Sequence, residues 1–195
     1  MLSSIPARLV LSPLLVAQAI QVRRRALILP EPDGPRHGVA GAGPMLRVLI
    51  AGDSSAAGVG VSHQDQAISG QLVAGLAPHF TVHWRLEART GDTTAKALAR
   101  LSALTPAPFD VALTALGVND VTHQRPLRRW LAEQQAISAL LRERWGVRAQ
   151  WRAGLPPMQG FPLLPRPLRD VLGAQAVRFD RALAAVSTGS VHHHP

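Results

Sequence analysis

Strand-like and helix-like patterns of apolar residues alternate along most of this 195-residue chain. Four stretches have the length and composition of strands, at 46–51, 80–86, 111–116 and 147–153. Helical periodicity lies between or after them, at 67–76, 94–104, 127–145 and 168–186. Strands that alternate with helices and are apolar on both faces indicate a parallel sheet with helices on both sides. The pattern therefore predicts an α/β fold.

The helix at 127–145 has the clearest limits. Its apolar residues fall on one stripe, as expected for a helix that packs on a core; they are Leu127, Trp130, Leu131, Ile137, Leu140, Leu141 and Trp145. Pro126 favours a helix start and Gly146 a helix stop. We expect one continuous helix over this interval.

The first 44 residues differ from the rest of the chain. An apolar run at 9–22 is 14 residues long, and a bilayer span needs about 20. Three arginines follow it directly and favour retention in the cytoplasm over secretion. We expect 1–26 to form a helix that packs on the domain or contacts a membrane surface. Residues 27–44 are rich in proline and glycine and are predicted to be a linker, and 45–195 to be one domain.

The amino-acid composition excludes cysteine-based sites and argues against a nucleic-acid partner. The chain has no cysteine, which excludes disulfides, zinc–thiolate sites and cysteine nucleophiles. Its net charge of +9 comes almost entirely from arginine, with Lys96 as the single lysine. These arginines are scattered and only 4% of residues are aromatic, whereas nucleic-acid binders concentrate basic groups beside stacking aromatics. We therefore expect a small-molecule partner and no nucleic acid; the oligomeric state stays open.

Short polar turns follow three of the predicted strands. They are Asp53-Ser54, Gly91-Asp92 and Asn119-Asp120. In a parallel sheet the carboxyl ends of the strands share one edge, and ligands bind beyond that edge. The three turns are therefore predicted to form one site.

Three chemistries compete for this site. Ser54 can be a nucleophile, because a serine on a tight turn after a buried strand exposes its hydroxyl. Asp53, Asp92 and Asp120 can instead gather around Mg²⁺ for phosphoryl transfer. The glycines at 58 and 60 can cradle a phosphate, but 52–60 matches neither the P-loop nor the dinucleotide fingerprint. That third alternative is the weakest.

The three turns resemble the sequence blocks of the GDSL or SGNH hydrolases. Gly52-Asp53-Ser54 is similar to the first block, Thr90-Gly91-Asp92 to the second, and Gly117-Val118-Asn119-Asp120 to the third. The resemblance covers 46–186 in the same order and spacing, and the proline-rich stretch at 155–167 resembles a bacterial subgroup. The chain has no Gly-x-Ser-x-Gly motif, which argues against the ordinary α/β-hydrolases.

The resemblance implies a fold, an activity and roles for three residues. The fold would be a flavodoxin-like three-layer α/β/α sandwich with a central parallel sheet. The activity would be hydrolysis of carboxylic esters in lipids, acylated sugars or small esters, without a cofactor or metal. Ser54 would be the nucleophile, and Gly91 and Asn119 would donate hydrogen bonds to the oxyanion.

One block of the family has no match. The family carries Asp-x-x-His near its C-terminus, but here the residues three before His192, His193 and His194 are Gly189, Ser190 and Val191. We expect these histidines to be a solvated tail, and find no sequence-evident carboxylate partner for His63 or His83. Three explanations stay open: a C-terminally incomplete chain, a substitute base among the three late histidines, or a catalytically impaired binding module of the same fold.

Overall fold

A mixed α/β architecture is seen in a computed structural model, which describes residues 11–27 and 29–195. In this part of the chain the strands are β1 His37–Ala40, β2 Met45–Gly52, β3 Thr81–Ala88, β4 Val111–Ala115, β5 Ala149–Ala153 and β6 Val191–His194. The helices there are α1 Ser12–Arg25, α2 Ser54–Ala57, α3 Ile68–Leu76, α4 Thr94–Ala103, α5 Val118–Thr122, α6 Leu127–Trp145 and α7 Leu168–Ala185. The first ten residues of the predicted N-terminal segment lie outside the described residues.

The described strands form one sheet in the order β1-β3-β2-β4-β5-β6. β1 is antiparallel to β3, and the other neighbours are parallel. Helices lie on both faces, which confirms the three-layer α/β/α fold with a mainly parallel sheet. The four predicted strands and the helices at 67–76, 94–104, 127–145 and 168–186 are all present, with ends that differ by at most two residues.

The central strand β2 is apolar from Val48 to Ala51 because this part is covered on both faces. Leu49 and Ala51 pack on one side with α4 and α6. Val48 and Ile50 pack on the other side with α3. This alternation between two buried faces accounts for the continuous apolar run in the sequence.

Helix α1 packs on the domain, as one of the two expectations for the N-terminal segment requires. The Gln18 side chain donates to the Arg166 carbonyl (2.7 Å) and accepts from the Leu168 backbone N–H (3.1 Å). Leu15 and Val22 join the hydrophobic cluster around α7. No helix among the described residues is both long enough and apolar enough to cross a membrane.

Two strands lie where the sequence indicated irregular chain. β1 falls inside the predicted linker and pairs with β3 from His37 to Ala40. The expectation of a solvated histidine tail is wrong in part: His192, His193 and His194 belong to β6, which pairs with β5, and only the side chains of His192 and His194 are exposed. Backbone hydrogen bonds to a neighbouring strand stabilise both segments, and neither partner is adjacent in sequence.

The ion pair between Arg47 and Asp110 ties the start of β2 to the start of β4. The Arg47 side chain makes two hydrogen bonds to the carboxylate (2.9 and 3.0 Å), and its backbone N–H makes a third (2.9 Å). These hydrogen bonds from Arg47 lower the pKa of Asp110 from 3.8 to about 2.

Asp110→Asn is expected to lower the free energy of unfolding by about 1–2 kcal/mol at pH 7. Because the folded-state pKa lies below the unfolded value, the stabilisation is complete above pH 4 and is lost as the pH falls toward 2. Urea denaturation at pH 7 and pH 2.5 tests this. Glu143→Gln, which breaks an exposed ion pair with Arg142, is the control and should change little. An equal loss at both pH values would contradict the prediction.

Candidate active site

Ser54 lies at the junction of β2 and α2. β2 ends at Gly52, where a Cβ atom would collide with the Ala115 carbonyl and the Ala56 side chain, so the turn needs glycine. Asp53 caps α2 by accepting from the Ser55 backbone N–H (3.0 Å) and hydroxyl (2.8 Å). The half-buried Ser54 hydroxyl makes no hydrogen bond within the described residues.

Gly91 occupies the turn that follows β3. Its φ of +79° lies in the left-handed region that favours glycine. The Asp92 backbone N–H closes the turn on the Arg89 carbonyl at 3.2 Å. Gly91 is exposed, and a Cβ placed on it would meet nothing within 4 Å. The space beside this backbone segment is therefore open.

Asn119 connects the other two turns. It lies in α5, directly after β4 and Gly117. Its Nδ2 donates to the Asp92 carbonyl at 3.0 Å and to Asp53 Oδ2 at 3.4 Å. Those acceptors are adjacent in sequence to Gly91 and Ser54. The side-chain amide of Asn119 thus brings the three polar turns together at the carboxyl edge of the sheet.

Glu31 fixes the turn at Thr90 and Gly91, and sequence reasoning missed it. Its Oε1 accepts from both the backbone N–H and the hydroxyl of Thr90 (2.8 Å each), and its Oε2 pairs with Arg36 (2.8 Å). Arg36 also donates to the Ala88 carbonyl at the end of β3. Burial of Glu31 opposes ionisation, but the Thr90 hydrogen bonds and the Arg36 charge outweigh it and lower the Glu31 pKa.

A second network below the site surrounds Asp120, which is fully buried. Its Oδ2 accepts from the Thr94 backbone N–H (2.9 Å) and hydroxyl (2.8 Å). The Thr94 hydroxyl in turn accepts from Trp130 Nε1 at 3.0 Å. Burial raises the pKa of Asp120. Burial also raises the pKa of Asp53, and the negative charges of Asp120 and Asp92 raise it further. This network connects α5, the short helix after β4, to α4 and α6.

The magnesium alternative finds little support in this geometry. Asp53, Asp92 and Asp120 lie near one another, but each accepts hydrogen bonds from protein groups. Asp92 pairs with Arg100 Nε at 3.1 Å. Within residues 11–27 and 29–195, no group of three or more His, Cys, Asp or Glu side chains is placed to hold a metal ion.

The phosphate alternative is also weakened. Gly58 does adopt a left-handed conformation, with φ +88°. Its N–H, however, donates to the Ser54 and Ser55 carbonyls and so caps α2. The N–H of Val59 donates to the Ser54 carbonyl at 3.0 Å. These backbone donors are used within the turn and do not form a cradle.

The histidines have partners that the sequence did not reveal. His193 Nε2 contacts Asp180 Oδ1 of α7 at 2.8 Å, and His63 Nδ1 contacts Asp65 Oδ2 at 3.1 Å. The sequence made no carboxylate partner of His63 evident, and the structure supplies one in Asp65. His123 contacts the Asn119 carbonyl through Nδ1 at 2.6 Å.

His193 and Asp180 lie far from Ser54 along the sheet. β4 and β5 separate β6 from β2, which corresponds to roughly 14 Å at about 4.8 Å per strand. A general base must reach its proton within about 3 Å, or through one water. Among the described residues, no histidine is hydrogen bonded to Ser54.

Comparison with solved structures identifies proteins of similar fold. TesA is 25% identical, with a TM-score of 0.53 over 71% of this chain and 73% of TesA. The lipase Lip_vut3 from goat rumen metagenome is 16% identical, with a TM-score of 0.56 over 75% of this chain and 78% of the lipase. Axe2, an acetylxylan esterase from Geobacillus stearothermophilus, is 16% identical, with a TM-score of 0.50 over 72% of each chain.

Comparison with sequences gives a family but no individual relative. No curated protein matches this chain. Residues 50–193, which include the turns at Ser54, Gly91 and Asn119, match the model of the GDSL-like lipase/acylhydrolase family. The chain belongs to the GDSL-like lipase/acylhydrolase family.

Proposed function

We propose that this protein is a serine ester hydrolase in which Ser54 is the nucleophile. The backbone N–H groups of Ser54 and Gly91 and the side-chain amide of Asn119 would donate to the oxyanion. The observation that carries the proposal is that Asn119 Nδ2 contacts both Asp53 and Asp92. Asp53 directly precedes Ser54, and Asp92 directly follows Gly91. Membership of a lipase/acylhydrolase family and similarity to esterase structures support ester hydrolysis as the reaction.

Each group has a defined task in this mechanism. Ser54 Oγ bonds to the ester carbonyl carbon, the carbonyl electron pair moves onto oxygen, and the hydroxyl proton passes to a base. The three donors stabilise the oxyanion. Collapse of the tetrahedral intermediate expels the alcohol, which takes up a proton, and leaves an acyl-serine. Water then hydrolyses the acyl-serine, which regenerates Ser54 and releases the carboxylic acid.

The donors suit this task because they are fixed before substrate binds. Glu31 holds the turn at Gly91, and the Asp92 carbonyl holds one N–H of the Asn119 amide at 3.0 Å. The other N–H makes only a long contact of 3.4 Å to Asp53 Oδ2, which it would exchange for the oxyanion. An oxyanion hole is effective when its dipoles need no reorganisation during the reaction. The open space beside Gly91 leaves room for the reacting carbonyl.

Labelling with a fluorophosphonate tests the proposed nucleophile. An activated serine forms a covalent phosphonyl adduct, and peptide mapping by mass spectrometry then locates it. We expect one adduct, on Ser54 and not on the neighbouring Ser55. Stoichiometric labelling at another residue, or no labelling after hours with excess reagent, would contradict the proposal.

A catalytically impaired binding module of the same fold is the second candidate. The observation that favours it is that no histidine is hydrogen bonded to Ser54 among the described residues. Removing the histidine of a serine triad can lower turnover by about 10⁶-fold. The labelling experiment separates the two candidates, because a serine without a base reacts slowly.

Glu31→Gln is expected to lower kcat roughly tenfold, because a charge-assisted contact that positions Gly91 is lost. KM should change less than about twofold, since the substrate pocket keeps its shape. Since the Glu31 pKa lies below its ordinary 4.5, the wild type keeps the contact at neutral pH and loses it as the pH falls through that lowered value. Steady-state kinetics measure these effects.

Two further variants make the test of Glu31 specific. Glu31→Asp should recover part of the lost kcat, because it restores a carboxylate. Thr90→Val should have a smaller effect than Glu31→Gln, because the Thr90 backbone N–H still reaches Glu31. A loss confined to KM, or no loss in Glu31→Gln, would exclude the positioning role.

A further inference from the structure

A groove of about 540 Å³ lies between α1 and the region of α5 and α7. Its walls are mainly aliphatic, with Leu15, Val16 and Val22 on α1 and Leu168 and Leu172 on α7. Asn119 and His123 lie on the same groove. The groove therefore shares one residue, Asn119, with the proposed oxyanion site.

The shape of the groove depends on α1. Gln18 fixes this helix to the start of α7 through two hydrogen bonds. Leu15 and Val22 are part of the hydrophobic cluster, but Val16 on the groove remains 58% exposed. One face of α1 is therefore anchored to the domain, while Val16 faces the open groove and is available to contact an apolar ligand.

The polar part of the groove is fixed as well. His123 Nδ1 contacts the Asn119 carbonyl at 2.6 Å, and the Thr122 hydroxyl donates to the same carbonyl at 3.0 Å. A long aliphatic wall beside a small polar region fits a single-chain amphiphile better than a sugar or a very small ester. Sugars need many polar partners, and an acetyl group would leave most of the aliphatic wall in water.

We propose that this groove binds the acyl chain of the substrate, so that the protein prefers esters of medium- and long-chain fatty acids. The proposal rests on the proposed ester hydrolase function, because Asn119, the proposed oxyanion donor, lines the groove. α1 is then one wall of the substrate site. Each added methylene that is buried should strengthen binding up to about fourfold.

Direct binding tests this without requiring turnover. The full chain carrying Ser54→Ala is titrated with sodium butyrate and with sodium dodecanoate in a calorimeter. We expect dodecanoate to bind at least a hundredfold more tightly than butyrate. Equal affinities, or no detectable binding of dodecanoate, would overturn the proposal.

Two alanines on α1 provide a matched pair of variants. Ala19 lines the groove, whereas Ala17 lies on another face of the same helix and is exposed. Ala19→Trp should fill the groove and weaken dodecanoate binding at least tenfold, and Ala17→Trp should leave it unchanged. Circular dichroism and thermal midpoints confirm that both variants are folded. Equal effects of the two substitutions would exclude the groove as the binding site.

Fluorophosphonate labelling and dodecanoate binding test the hydrolase proposal and the acyl-groove proposal separately. If fluorophosphonate labels Ser54 but dodecanoate does not bind, the hydrolase proposal stands and the acyl groove is wrong. If dodecanoate binds in the groove but Ser54 is not labelled, the groove is retained and the hydrolase proposal fails. With both results positive, wild type should cleave p-nitrophenyl decanoate with a higher kcat/KM than the acetate, and Ala19→Trp should reverse that order.

Discussion

Replacing Ser54 with alanine is expected to lower kcat for p-nitrophenyl ester hydrolysis by at least about 10⁴-fold, because the nucleophile of a serine hydrolase has no substitute. The change removes a single half-buried hydroxyl that makes no hydrogen bond within the described residues. The fold should be unaffected. A continuous assay of p-nitrophenolate release, with a parallel thermal melt, measures both properties.

Ser55 provides the matched control for this variant. It is the next residue in α2, and its hydroxyl donates to Asp53 Oδ1 at 2.8 Å. Ser55→Ala removes that contact but leaves the Ser54 hydroxyl, so we expect only a few-fold decrease in kcat. If Ser54→Ala keeps wild-type activity, or if Ser55→Ala is the more damaging change, Ser54 is not the nucleophile.

Asn119→Ala is expected to lower kcat by about 10²–10³-fold, the usual cost of losing one oxyanion donor. The effect should fall mainly on kcat, because the donor acts on charge that develops only in the transition state. Asn119→Asp is a sharper variant. It has nearly the same shape but replaces the N–H donor with a negatively charged acceptor, so its activity should be at least as low.

The neighbouring residue Thr122 controls for indirect effects on α5. Its hydroxyl donates to the Asn119 carbonyl at 3.0 Å, and its side chain is exposed. Thr122→Ala should retain kcat within a few-fold. Wild-type turnover in Asn119→Asp, or an equal loss in Thr122→Ala, would show that the side-chain amide does not stabilise the transition state.

Local patterns were sufficient to predict most of the elements. β2 and β4 appear in the sequence as apolar runs because both faces of each strand are covered. The apolar stripe of α6 indicates a helix because one face of it packs on the core. The positions of Ser54, Gly91 and Asn119 followed from the rule that parallel strands end at one edge of the sheet. These predictions depend on residues that are neighbours in sequence.

The errors share one physical cause. The local pattern predicts a linker where β1 lies, because the stability of β1 comes from backbone hydrogen bonds to β3, some 45 residues away in the paired register. The sequence predicts a solvated tail for the three late histidines, because the contact of His193 with Asp180 on α7 is not visible in the local pattern. The contact between Glu31 and Thr90 was missed for the same reason, since it spans 59 positions.

The sequence by itself determined the α/β class, most element limits and the three polar turns, because apolar periodicity and turn chemistry are properties of adjacent residues. Only the tertiary structure decided which side chains meet. It brought Asn119 to the turns at Ser54 and Gly91, Glu31 to Thr90, and α1 to the groove beside Asn119. Such contacts depend on distances in space between residues far apart in the chain, and hydrophobic and polar patterning does not encode those distances.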